Sequence, residues 1–364
     1  MGKKTWLPLY VVQFFFLFLL TVVESTPILL NITVGSTLSS SSPNQTAFWL
    51  SPSENFAFGF YKTHPNKEEY TVGIWLAKSC HKTLVWELDR SQPLLSATTS
   101  SVLFDQDGLF KLQVTGNKNR GLENYTRNLF GNMVKTPASY AAMQDDGNFV
   151  IYDSKSRIIW QSFDYPTDTI LAGQTLKSGY SLIASSSMYR FVGHVHYSLI
   201  MQEDQNILVY DIHDDGGCDG LCRRFVWGSQ KNRNSGHAQL KLDSCGNLNV
   251  VDWSSSLINN LYKEKKENCS SLPHRVTLDS DGSFRLYKDY TMGCDGGSSS
   301  VVLWRSRSVQ SFYNMLIQVL YTIFMASIAV LLVSILILRI TCILHIRHQR
   351  VNQGIVQHVE MQAL

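Results

Sequence analysis

The chain has 364 residues, of which 44% are apolar and 17% charged, and its formal net charge is +3. That length allows two domains, the composition is that of a folded protein rather than a disordered one, and the near-neutral charge argues against nucleic acid as a partner.

The N-terminus carries Lys3 and Lys4, then an apolar run, then small and polar residues to Ser25. This is the layout of a cleaved signal peptide over residues 1–25, with a retained signal anchor as the alternative. An N-myristoyl site fails because Trp6 stands where Ser or Thr is needed.

Beyond the leader, one short pattern recurs as SPSENFAFGFY, LFDQDGLFKLQ, MQDDGNFVIYD, MQEDQNILVYD, LDSCGNLNVVD and LDSDGSFRLYK. The aligned anchors are Ser53, Asp107, Asp146, Asp204, Cys245 and Asp281, separated by 54, 39, 58, 41 and 36 residues. The widest interval follows the third copy, so the six divide into three plus three. Each copy reads as a tight hairpin. Strand parity in the third sends Phe149 and Ile151 inward and lines Gln144, Asp146, Asn148, Val150 and Tyr152 on one outer face. A single hairpin buries too little to stand alone, but three around an axis can form a core. Trp49, Trp75, Trp86, Trp160, Trp227, Trp253 and Trp304 recur beside the hairpins. Most are expected to fill core space, with sugar stacking as the alternative for an individual ring.

Six cysteines, Cys80, Cys218, Cys222, Cys245, Cys269 and Cys294, precede the last apolar stretch. An even number in an oxidising compartment suits disulfides, in any of fifteen connectivities. N-glycosylation sequons start at Asn31, Asn44, Asn124 and Asn268. The acidic loop with Asp211, His213, Asp214, Asp215 and Asp219 lacks the spaced ligands of a calcium site, and oxidation of Cys218 and Cys222 is favoured over zinc binding. No metal or cofactor is expected. Asp105 and Asp107 stand as hairpin residues rather than a glycosidase pair, no nucleophile stands with its base, and the chain is not expected to be an enzyme.

Residues Met315–Leu338 contain no charge, and Arg339, Arg347 and Arg350 follow. A transmembrane helix is expected over 313–338, with 339–364 as a short cytoplasmic tail too small for a catalytic core. Gln318, Ala326 and Ser327 offer helix-contact positions within the span. Cys342, at the inner edge, is either a palmitoylation site or a free thiol.

The five residues Gln144, Asp146, Asn148, Val150 and Tyr152 match the pattern Q-x-D-x-N-x-V-x-Y, and the chain here resembles the bulb-type mannose-binding lectins. Gln202, Asp204, Asn206, Leu208 and Tyr210 form a possible second site that departs only by Leu for Val. The second copy is broken by Leu109 and Lys111, the fifth by Cys245 and Asn249, and the sixth by Ser283 and Arg285. WLSPSENFAFGFY, VGIWLAK, LVWELDR and IIWQSFDYPTDTIL extend the resemblance, over about residues 28–305, to the outer portion of plant G-type lectin receptor-like kinases. That family places tandem lectin domains before cysteine-rich modules, a span and a serine/threonine kinase. This sequence goes almost directly from LDSDGSFRLYKDY to the span, and 26 residues follow Leu338.

The resemblance implies an all-β fold of two tandem bulb-type lectin domains of the β-prism II kind, at 28–175 and 176–305, each of three small sheets, plus the helix. It implies that Gln144, Asp146 and Asn148 hydrogen-bond sugar hydroxyls, that Val150 touches ring carbons, and that Tyr152 binds a further hydroxyl. Expected partners are mannose-type glycans, a receptor-like kinase and membrane lipid, at the plasma membrane with the lectin part outside. The alternatives are hairpins kept for shape alone, and an interaction protein or decoy of receptor kinases.

Overall fold

The computed structural model describes residues 31–306 except 41–46, 65, 67–68, 80, 89–94, 97–99, 116–123, 132–133, 135, 185–195, 214–221, 230–236, 265–271 and 291–299, together with the helix 309–362, whose side chains are described over 318–344 and at 347. The signal-peptide expectation at 1–25, Asn44, Asn268, Cys80, Cys218, Cys269 and Cys294 therefore lie outside the described residues.

Each of the six sequence copies builds one small antiparallel sheet. Its two arms form the hairpin, as in Tyr140–Met143 with Phe149–Tyr152 and His196–Met201 with Ile207–His213. A third strand follows the hairpin, such as Ile158–Gln161 or Cys222–Gly228. The tight turns have a common cause. In the third copy the Gln144 N–H donates to the Asn148 carbonyl and the Gly147 N–H to the Gln144 carbonyl, which puts residue 147 at φ +90°. Only glycine takes that conformation without strain, and here a Cβ would also strike Leu171 at 2.4 Å. The fourth copy holds Gln205 at φ +69° in the same place.

Five of the six sheets gain a further edge strand from two short segments. Ile32–Thr33 pairs with the third copy and Thr37–Ser39 with the second. In the other group, Thr169–Leu171, Thr175–Lys177 and Ser181–Ile183 pair with the sixth, fifth and fourth copies in turn. Each of those three strands sends one apolar side chain inward, Ile170, Leu176 and Leu182, all at most 1% exposed and spaced six residues apart. One segment thus stitches three sheets around one core.

Among the described residues there are two cores, one per group of three sheets. The first holds Phe58, Phe104, Phe110 and Phe149, and the second Leu199, Leu240, Leu248, Val276 and Phe284. Phe149 and Ile151 are fully buried, as parity requires. Trp86 and Trp160 lie in the first core with Trp49 against it, Trp227 and Trp304 pack on the second, and Trp75 is buried beside Phe48 and Tyr61. Trp253 departs from that role, being 62% exposed.

The C-terminal unit is one helix, Val309–Gln362, of 54 residues and about 80 Å. Its apolar stretch runs Gln318–Leu344, long enough to cross a membrane, and its large side chains there are exposed. The helix continues through the segment expected as the tail.

Candidate functional site

Cross-strand register fixes which side chains share the outer face of the third copy. Tyr140 opposes Tyr152, Ala142 opposes Val150, and Val150 in turn opposes Gln161. Gln144, Asp146, Asn148, Val150 and Tyr152 are brought together with Tyr140 and Gln161 on this face.

Two of the five expected contact residues are not open to solvent. Asn148 is 5% exposed and Val150 is fully buried, which corrects the expectation of a wholly solvent-facing row. The reason is the third strand and the 3-10 turn Ser162–Asp164 behind it. Asn148 donates from Nδ2 to Gln161 Oε1 at 2.9 Å, and its Oδ1 accepts from Ser162 Oγ at 3.1 Å and from the Phe163 N–H at 3.2 Å. The amide thus ties the hairpin to residues 161–163. Val150, between Ala142 and Gln161, offers no surface for ring carbons.

The remaining polar groups are accessible. Gln144 donates from Nε2 to the Tyr152 hydroxyl at 2.9 Å, and the Tyr152 ring stacks on Tyr140 with centroids 4.7 Å apart. Asp146 is solvent-exposed. Its Oδ1 accepts the Asn148 N–H at 2.9 Å, and Oδ2 accepts from no other residue among those described. Desolvation by its surroundings nevertheless pushes the Asp146 carboxyl above the ordinary range, against the pull of the Asn148 N–H. Desolvation likewise raises the Tyr152 phenol. The result is a fixed amide, a phenol and a carboxylate with one uncommitted oxygen, a set that can exchange hydrogen bonds with vicinal hydroxyls of a neutral ligand.

The fourth copy keeps the residue types and loses the arrangement. Asp204 accepts the Asn206 N–H on Oδ1 at 3.1 Å and Asn206 Nδ2 on Oδ2 at 3.2 Å, so both of its oxygens face its own turn. No bond joins Gln202 to Tyr210 among the described residues. Leu208 is half-buried against Gly228, the residue at Gln161's register position.

The second, fifth and sixth copies fill the face with their own side chains. In the second, Lys111 stands at the Val150 position and pairs with Asp105 and, at 3.9 Å, with Asp107. Desolvation would raise Asp105, but Lys111 and the Leu109 and Asp107 N–H groups hold it below the usual range. In the sixth, Arg285 takes that position and pairs with both Asp279 and Asp281, while Tyr287 donates to Asp279 at 2.7 Å. Desolvation and that carboxylate push the Tyr287 phenol up to about 12. In the fifth, Asn247 donates to Asp243 and accepts the Glu264 N–H. Cys245 is disulfide-bonded, whereas Cys342 is a free, exposed thiol.

Asn31 and Asn124 are exposed. Asp211, read from sequence as part of an acidic loop, lies in the strand Ile207–His213, is 1% exposed and is paired with Arg224. Among the described residues no group of three or more His, Cys, Asp or Glu side chains could hold a metal ion. The sequence pattern did not single out Gln161 or Tyr140. Their only signal was register, since both lie directly opposite motif residues on neighbouring strands.

Residues 83–188 match the family model described as D-mannose binding lectin. A G-type lectin S-receptor-like serine/threonine-protein kinase of Oryza sativa subsp. indica is 31% identical over 278 residues, 74% of this chain and 32% of the relative. One from Oryza sativa subsp. japonica is 29% identical over 77% of this chain and 33% of its own length. Another, from Arabidopsis thaliana, is 28% identical over 81% of this chain and 34% of its own. The chain thus spans about a third of the length of these curated relatives. Among solved structures, the mannose-specific agglutinin of snowdrop bulbs covers 36% of this chain and 98% of its own, at 21% identity and TM-score 0.26. A monomeric mannose-binding lectin of Gastrodia elata covers 38% and 96%, at 23% identity and TM-score 0.26. The chain thus contains a region that matches the D-mannose binding lectin model and is similar to G-type lectin S-receptor-like kinases over about three quarters of its length.

Proposed function

We propose that this lectin-bearing relative of the G-type receptor kinases binds mannose-type glycans through the third copy, as a single-pass protein of the plant plasma membrane with its lectin sheets outside. The observation that carries this reading is the accessible trio of Gln144, Tyr152 and Asp146, with the Asp146 Oδ2 uncommitted. Vicinal hydroxyls of a pyranose meet such a set as both donor and acceptor. A helix apolar over Gln318–Leu344 is consistent with the membrane anchor, and the kinase relatives suggest a receptor kinase as signalling partner.

The test is titration of the full chain in detergent with a mannoside, beside Asp146→Asn. That substitution keeps an oxygen for the Asn148 N–H and removes the charge. An affinity loss of about tenfold or more supports the reading, since a hydrogen bond to a charged group contributes roughly 1.5–3 kcal/mol. Equal binding by both forms rejects it. The full burial of Val150 favours a second reading, in which the sheets contact protein partners instead; absence of mannoside binding by the parent chain would support that one.

A further inference from the structure

The geometry points to Gln161, outside the five-residue motif, as the positioning residue that keeps Asp146 open to ligand in the third copy. The inference rests on the carbohydrate reading above for its consequence, but its structural part stands separately.

The molecule contains its own control. Asn148 and Asn206 occupy the same place in two hairpins of the same design, each with its backbone N–H on the Oδ1 of the aspartate two residues earlier. Each following strand also has a serine accepting the next backbone N–H, Ser162 from Phe149 and Ser229 from Ile207. The difference lies one residue before that serine. In the third copy Gln161 Oε1 takes the Asn148 Nδ2 donor at 2.9 Å. In the fourth, Gly228 offers no side chain there, and Asn206 Nδ2 turns back onto Asp204 Oδ2 at 3.2 Å.

An amide donor in a low-dielectric setting goes to the nearest good acceptor, because leaving it unmade is costly. When Gln161 supplies that acceptor, the aspartate keeps one oxygen for an incoming hydroxyl. When the position is glycine, the aspartate is saturated internally and a ligand must displace the amide first. Gln161 is itself held, its Nε2 donating to Asp164 Oδ2 at 3.0 Å, so its carbonyl end stays turned to Asn148. The same comparison accounts for the fourth copy retaining the motif's residue types without its open face.

The experiment uses the full chain in detergent, labelled with 13C at the aspartate carboxyl carbon, with the Asp146 signal assigned from its loss in Asp146→Asn. Gln161→Met keeps the volume and removes the acceptor. The expected result is an Asp146 titration moved to lower pH in Gln161→Met, because Asn148 then donates to the carboxylate. Mannoside affinity is expected to fall about tenfold. In the Asp146→Asn background, Gln161→Met should change affinity by no more than about twofold, since the group it acts through is already altered. An unmoved Asp146 titration overturns the inference, and so do losses that multiply in the double variant. If the parent chain binds no mannoside, the carbohydrate reading fails, while the Asp146 titration still decides what Gln161 does.

Discussion

At the scale of single residues, polar side chains on these hairpins divide by whether their partners are internal. Asp146 keeps an oxygen free, whereas Asp105, Asp204 and Asp279 are taken by their own turns or by a lysine or arginine. Because desolvation raises the Asp146 carboxyl, any ligand that needs the carboxylate should be released on acidification at a pH above that of an ordinary aspartate. A mannoside titration across pH 3–7 checks this, and an affinity insensitive to pH above the ordinary carboxylate value of about 3.9 would argue against it. A second residue-scale prediction concerns His274, which is 1% exposed with neither ring nitrogen hydrogen-bonded among the described residues. Burial lowers its pKa below 6.5, helped by Lys288 and opposed by Glu264, Asp289 and Asp243. A folded-state pKa below the unfolded one means the unfolded chain binds the proton more readily, so stability of the second core falls as pH drops below about 6.5. Urea midpoints at pH 7.5 and 5 should differ for the parent and converge for His274→Phe. The row Gln144, Asp146, Asn148, Val150 and Tyr152 and the inward pair Phe149 and Ile151 were legible in the sequence by parity. The burial of Asn148 and Val150 was not, because it depends on a third strand whose register a motif does not encode.

At the scale of elements, the hairpins are local and their turn residues announce them, while the edge strands are neither. Thr169 pairs with Thr277 and Ile32 with Ala141, contacts that join segments more than 100 residues apart through strands of two or three residues. Such strands are below the length at which periodicity carries a signal. Their role is nonetheless large, since Ile170, Leu176 and Leu182 each anchor a different sheet to one core. Leu182→Ala should cost about 2–5 kcal/mol, the range for truncating a fully buried leucine, and should lower the urea midpoint of the second core. The equivalent change at exposed Ile183 should cost far less. Equal effects would mean that the edge strand is not a structural staple.

At the scale of the whole molecule, three-plus-three spacing of the copies foretold two groups of three sheets, because each copy is one sheet and three sheets are needed to enclose a core. The apolar stretch was legible too, though it extends beyond Leu338 because Ile340, Ile343 and Leu344 outweigh the single charge of Arg339. If the third copy alone binds mannosides, as proposed, the chain is of low valency, and clustering would be the source of avidity for branched glycans. The most direct test of this account is the stoichiometry and location of mannoside binding, measured by calorimetric titration of the full chain, Asp146→Asn and Asp204→Asn. One site per chain is expected, weakened about tenfold or more in Asp146→Asn and unchanged in Asp204→Asn. Two or more equivalent sites, or a loss confined to Asp204→Asn, would contradict it.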